Sequence, residues 1–145
     1  MAIFVDENTK VIVQGLTGGQ GRYHGLRNRD YGTQIVGGVT PGKGGQDVEG
    51  IPIFDSVAEA VAATGATASF AAVPPKAAPA AILEAAAAGI GLVVCITEGI
   101  PAQDEALVYN RLVRDHPGTR LLGPNCPGII SPGKCNIGIT AGEIA

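Results

Sequence analysis

Three glycines, Gly15, Gly18 and Gly21, recur at every third position just after the β-branched run Val11-Ile12-Val13. Glycine tolerates positive φ and lets main-chain N–H groups approach a ligand, and a helix starting there turns its positive end toward an anion. The chemistry implied is phosphate binding by backbone amides, with Thr17 and Gln20 adding polar reach. The spacing is G-x-x-G-x-x-G where dinucleotide sites have G-x-G-x-x-G, so it only approximates that fingerprint. A tight turn with close helix packing is the purely structural reading of the same residues.

The next apolar run, Ile35-Val36-Gly37-Gly38-Val39, ends without an acid. An NAD site places Asp or Glu there for the ribose hydroxyls. The first charge beyond it is Lys43, set among Pro41, Gly42, Gly44 and Gly45, whose amides would be exposed beside it. A cation in that position suits a phosphorylated ribose, which NADP and coenzyme A both carry; a solvated loop lysine is the plain alternative. Val73-Pro74-Pro75 is rigid and uncharged and either flanks an adenine ring or simply terminates a strand. Thr97-Glu98 follows another apolar run, and its acid bonds a ligand group or caps the next helix.

Catalytic machinery is harder to find. Cys126 sits in Asn125-Cys126-Pro127-Gly128, but a nucleophilic cysteine needs a lowered pKa and a base. The two histidines, His24 and His116, fall on expected helices away from that loop or at the wrong end of the fold, so they read as surface or helix-packing residues. Cys126 reads as structural or ligand-adjacent. No paired carboxylates, metal-ligand cluster or Ser-His-Asp set is evident, so the expectation is a binding domain with neither a catalytic residue nor a metal site of its own.

The elements that must position these loops alternate. Strands are expected at residues 11–14, 35–39, 51–54, 67–73, 92–96 and 120–122, and helices at 22–31, 57–63, 76–88 and 104–115. A short hairpin is expected around Ile129 and Ile137. Strands apolar throughout are buried on both faces, which marks a parallel sheet. The expected fold class is therefore α/β: a Rossmann-like, doubly wound, mostly parallel sheet forming one domain over residues 1–145. The Gly- and Pro-rich loops all fall at the carboxyl ends of the strands, where such sheets bind ligands.

Composition sets the outer limits. The 145 residues are 46% hydrophobic and 16% charged, which excludes a disordered chain. A net charge of −3 and 4% aromatic residues argue against a nucleic-acid partner. Three cysteines without C-x-x-C spacing fit neither a zinc site nor a disulfide framework. Residues 1–10 do not form a signal peptide, and no apolar run reaches membrane-spanning length, so no membrane association and a cytoplasmic location are expected.

Five segments together resemble the α subunit of succinyl-CoA synthetase (succinate–CoA ligase). They are residues 13–21, 37–45, 62–69, 96–101 and 123–128, in order along nearly the whole chain. The resemblance implies an N-terminal CoA-binding domain in which Thr17, Gly18, Gly19, Gln20, Lys43, Ile96, Thr97 and Glu98 contact coenzyme A, with Val73 and Pro74 near the adenine. It implies a part in interconverting succinyl-CoA, phosphate and a nucleoside diphosphate with succinate, CoA and the triphosphate, in the citric acid cycle. The phosphohistidine of that reaction belongs to a second α-subunit domain, outside these residues, and a separate β subunit would hold the nucleotide and Mg²⁺. Residues 25–30 and 140–143 depart from the family pattern. Two other readings are carried forward: an NADP-binding Rossmann domain of an oxidoreductase, and a non-enzymatic CoA- or redox-sensing module with Cys126 as its switch.

Overall fold

The computed structural model describes residues 8–97, 99–123, 128–131 and 135–138. β1 (Lys10–Gln14) leads into α1 (Gly19–Tyr31), β2 (Gln34–Val39), β3 (Asp47–Val48) and β4 (Ile51–Phe54). Then come α2 (Val57–Thr64), β5 (Ala68–Ala71), α3 (Ala78–Ala87), β6 (Leu92–Cys95), α4 (Ala102–Asp115) and β7 (Arg120–Leu122). The hairpin strands β8 (Gly128–Ser131) and β9 (Cys135–Gly138) close the described chain, with Ile129 opposite Ile137 as expected.

The main sheet has the order β3-β4-β2-β1-β5-β6-β7. All its pairs are parallel except β3–β4. Numbered by themselves along the chain, the six parallel strands lie 3-2-1-4-5-6, the order of dinucleotide-binding sheets. The direction of winding reverses between β1 and β5, and the loops after those strands diverge to leave a crevice.

Strand composition follows from burial on both faces. Val11, Ile12 and Val13 are all fully buried, yet successive strand side chains point opposite ways. Ile12 joins one core with Val57, Ile82, Ile90 and Val93, beneath α2, α3 and α4. Val11 and Val13 join the other with Leu16, Ile35, Phe70 and Val94. Cys135 and Ile137 of β9 also enter this second core, so the hairpin shares with α1 the work of covering that face.

α1 docks by an unusual surface. Its buried residues are Gly21, Gly25 and Asn28, one helical stripe at i, i+4 and i+7 with no large apolar side chain. A Cβ at Gly25 would lie 2.9 Å from Leu16 Cδ1, so the missing side chain is what brings the helix down onto β1. The helix begins at Gly19, three residues before the expected start, because the turn glycines continue directly into its first turn. α2 is fixed more conventionally: Ser56 Oγ accepts from Glu59 N–H at 3.2 Å, and Glu84 Oε2 accepts from Val57 N–H at 2.7 Å. β3 is a two-residue strand that the composition did not suggest. Among the described residues, no helix is long and apolar enough to cross a membrane.

Candidate functional site

The turn after β1 sets the site. Gly15 has φ +93°, and its N–H donates to Val39 O at 3.0 Å, tying the turn to the end of β2. A Cβ at Gly21 would stand 2.1 Å from Gly15 O, so Gly21 is required by the turn closing on itself. Gly18 and Gly19 differ. A Cβ at Gly18 would meet only Gly15 O at 3.4 Å, and one at Gly19 would meet nothing within 4 Å. Internal packing does not demand glycine at either position. Gly18 is the N-cap of α1 and offers no side-chain cap. The first-turn N–H groups, which have no intrahelical acceptor, are therefore left for solvent or a ligand anion.

These residues form one wall of a cleft of about 460 Å³. Gly18, the N-cap, and Gly19, Gln20 and His24 of α1 line it on one side, Ala72, Val73, Pro74 and Pro75 from the loop after β5, and Ile96 and Thr97 from the loop after β6. The cleft thus occupies the crevice where the winding reverses. Gly18, Gly19, Gln20, Val73, Pro74, Ile96 and Thr97 were all expected from the sequence at the ligand edge, and the fold brings them together.

Buried and part-buried hydrogen bonds hold the walls. Gln14, the last residue of β1, accepts from Ser69 Oγ at 2.6 Å and donates from Nε2 to Ala81 O at 2.8 Å, locking β1 to β5 and α3 beneath the turn. Thr97 Oγ1 donates to Val73 O at 2.7 Å, joining the β5 and β6 loops. The Thr17 and Thr40 hydroxyls lie 3.0 Å apart, joining the turn to the end of β2. A buried polar group that is satisfied in this way fixes backbone position more sharply than apolar contact does.

Lys43 does not line the cleft. It stands exposed on the loop after β2, with its N–H bonded to Thr40 O at 3.1 Å, so that loop is linked through Thr40 to Thr17. The neighbouring amides are not open to an anion as the glycine pattern suggested. Gly42 and Gly44 N–H both donate to Asp55 Oδ1, each at 2.9 Å. What the loop offers a phosphate is the Lys43 side chain.

His24 lies on α1, as expected, but it also has a place in the site that the sequence reading did not assign to it. It lies one helical turn after Gln20 and lines the same cleft. Its imidazolium is disfavoured by burial and then by Arg27, so its pKa is lowered from the ordinary value. The i, i+4 relation to Gln20 was the available signal, had α1 been expected to begin at Gly19. Glu98 and Cys126 lie outside the described residues.

A second groove, of about 350 Å³, runs along α4 and the edge strand β7, lined by Tyr109, Leu112, Val113 and Leu122 among others, with Arg120. It lacks the uncapped helix terminus and the convergence of strand-end loops that distinguish the first. His116 is not among its lining residues.

A family model described as the CoA binding domain matches residues 6–99. The chain belongs to the CoA-binding domain family. The matched stretch contains every candidate contact from Thr17 to Glu98. Within curated proteins, this CoA-binding domain is 54% identical over 99% of its length to the succinate–CoA ligase [ADP-forming] subunit alpha of Aquifex aeolicus, covering 47% of that protein. It is 57% identical, again over 99% of its length, to subunit alpha 2 of the same ligase from Archaeoglobus fulgidus, covering 50% of it. The chain therefore spans about half the length of these relatives. Among solved structures, an ATP citrate lyase from Methanothrix soehngenii, in complex with citrate and coenzyme A, superposes with a TM-score of 0.78 at 23% identity, over 97% of this chain and 24% of that one. That likeness supports the fold and the Rossmann-like class.

Proposed function

We propose that this CoA-binding domain holds coenzyme A in the cleft between the β1 and β5 loops, as part of the α subunit of a succinate–CoA ligase. The observation that carries the reading is the pair Gly18 and Gly19. Neither is required by packing, and both open the first-turn amides of α1 to the cleft. In this reading those amides, with Gln20 and Thr17, take the ligand's phosphates. Val73 and Pro74 flank the adenine, Ile96 and Thr97 close the far wall with Glu98 following, and Lys43 reaches the phosphorylated ribose.

The reaction proposed is the interconversion of succinyl-CoA, phosphate and a nucleoside diphosphate with succinate, CoA and the triphosphate. When bound, coenzyme A supplies the thiol on which the acyl group travels. This chain's residues bind and orient it. Neither His24, which lines the cleft, nor His116 matches the phosphohistidine pattern of that ligase family. The phosphorylated histidine, the nucleotide and its Mg²⁺ are assigned to the remainder of the enzyme, including a β subunit. A cytoplasmic setting fits Cys95 and Cys135, which are buried thiols and not a disulfide.

Isothermal calorimetry with CoA, dephospho-CoA, NADP and NAD tests the reading. A charge-assisted phosphate contact contributes about 1.5–3 kcal/mol, so CoA should bind roughly tenfold or more tighter than dephospho-CoA. NADP carries a phosphorylated ribose without the pantetheine arm and should bind more weakly than CoA. Binding of NAD as tight as that of CoA would reject the reading.

A further inference from the structure

We propose that Asp55 is a positioning residue for Lys43, holding the loop from which that lysine meets the phosphorylated ribose. The inference rests on the assignment of Lys43 above. Asp55 Oδ1 accepts from the N–H groups of Gly42 and Gly44, at 2.9 Å each, so one carboxylate oxygen grips the main chain on both sides of Lys43. The remaining ties are main-chain bonds: Lys43 N–H to Thr40 O at 3.1 Å, Gln46 N–H to Lys43 O at 3.3 Å and Gly45 N–H to Ile53 O at 3.1 Å. A long lysine on an exposed loop is otherwise a poorly aimed point charge. Fixing the backbone on either side lowers the freedom lost when its ammonium engages a phosphate.

Three details set Asp55 apart from an ordinary surface acid. First, Ser56 is the N-cap of α2, so the Asp55 carboxylate is released from capping. Second, Asp55 is itself held, its N–H donating to Glu59 Oε2 at 3.3 Å. Third, the fit against the loop is close: a Cβ at Gly44 would lie 2.6 Å from Asp55 Oδ2 and 2.8 Å from its Cγ. The Gly-Lys-Gly sequence therefore serves the Asp55 clasp, and the loop spends its amides on an internal anion while leaving the lysine side chain outward.

The clasp has an electrostatic side. A carboxylate near a phosphate-binding lysine opposes the phosphate, although solvent screens the effect at an exposed site. Only the acceptor oxygen is needed for the clasp, and a carboxamide keeps it without the charge. Asp55→Asn and Asp55→Ala therefore separate the two effects.

The readout is the ratio of dephospho-CoA to CoA dissociation constants, measured for the parent protein, Lys43→Ala, Asp55→Asn and Asp55→Ala, with thermal unfolding alongside. The parent ratio should be roughly ten or more and fall toward unity in Lys43→Ala. Asp55→Ala should lower the ratio by about threefold or more through loss of aim, leaving dephospho-CoA affinity and the melting temperature nearly unchanged. Asp55→Asn should keep the parent ratio or exceed it. A parent ratio near unity, or one that Lys43→Ala leaves alone, overturns the Lys43 assignment and the Asp55 inference with it. A ratio that collapses in Lys43→Ala and persists or rises in Asp55→Ala overturns the Asp55 inference alone. So does an equal weakening of both ligands in Asp55→Ala.

Discussion

Thr97 donates its hydroxyl hydrogen to the main-chain oxygen of Val73 at 2.7 Å. The bond crosses between the loops that follow β5 and β6, and both residues line the cleft. Thr97 is only 7% exposed, so water does not readily replace it as a partner. Thr97→Val keeps the shape and removes the donor. It should lower the unfolding free energy by about 1 kcal/mol, up to ~3 if the Val73 carbonyl stays dry. Urea denaturation measures this; an unchanged midpoint with unchanged slope would show that the bond does not tie the loops.

The glycines of the β1 turn divide into two kinds. Gly21→Ala drives a Cβ into the Gly15 main-chain oxygen, an atom that cannot step aside without moving the turn. Its stability should drop by about 1–3 kcal/mol or more. Gly19→Ala meets nothing within 4 Å. It should leave stability unchanged or slightly raised, since alanine favours the helix by up to ~1 kcal/mol over glycine. CoA affinity should nevertheless fall, because Gly19 lines the cleft and a side chain there takes up room beside the ligand. Parallel melting curves and calorimetry check both; a Gly19→Ala protein that binds CoA as tightly as the parent contradicts the assignment of that turn.

His24 predicts a direction of pH dependence. Burial, then Arg27, lowers its pKa in the folded protein below the ordinary 6.5. As pH falls through that value the unfolded chain takes up the proton first, so stability declines with falling pH and levels off below the lowered folded pKa. Above the ordinary value the contribution is fully present. The denaturation midpoint of the parent relative to His24→Gln, followed between about pH 5 and 8, should therefore decrease toward the acid side. An opposite slope would mean that the folded state stabilises the imidazolium.

How far the sequence carried depends on what each segment buries. β1 was legible because Val11, Ile12 and Val13 must each find an apolar layer, and a β-branched run does that only inside a covered sheet. The hairpin around Ile129 and Ile137 was legible because two short apolar runs flank Pro- and Gly-containing residues, and the two strands pair there. The start of α1 was not, since its docking stripe of Gly21, Gly25 and Asn28 has no hydrophobic period to read. With the helix start expected at residue 22, the one-turn step from Gln20 to His24 along the cleft went unread. The Lys43 loop was misread in a different way. Its glycines advertised free amides, and only the packing of β4 against β2 reveals that Asp55 consumes two of them. A partner 13 and 11 residues away in sequence leaves no local pattern.

The central claim is where the ligand sits, and an amide NMR titration with CoA tests it most directly. The largest shifts should fall on Gly18, Gly19 and Gln20, with Val73, Ile96 and Thr97 following, and a separate perturbation at Lys43. Shifts confined to the groove between α4 and β7, or none at saturating CoA, would contradict it.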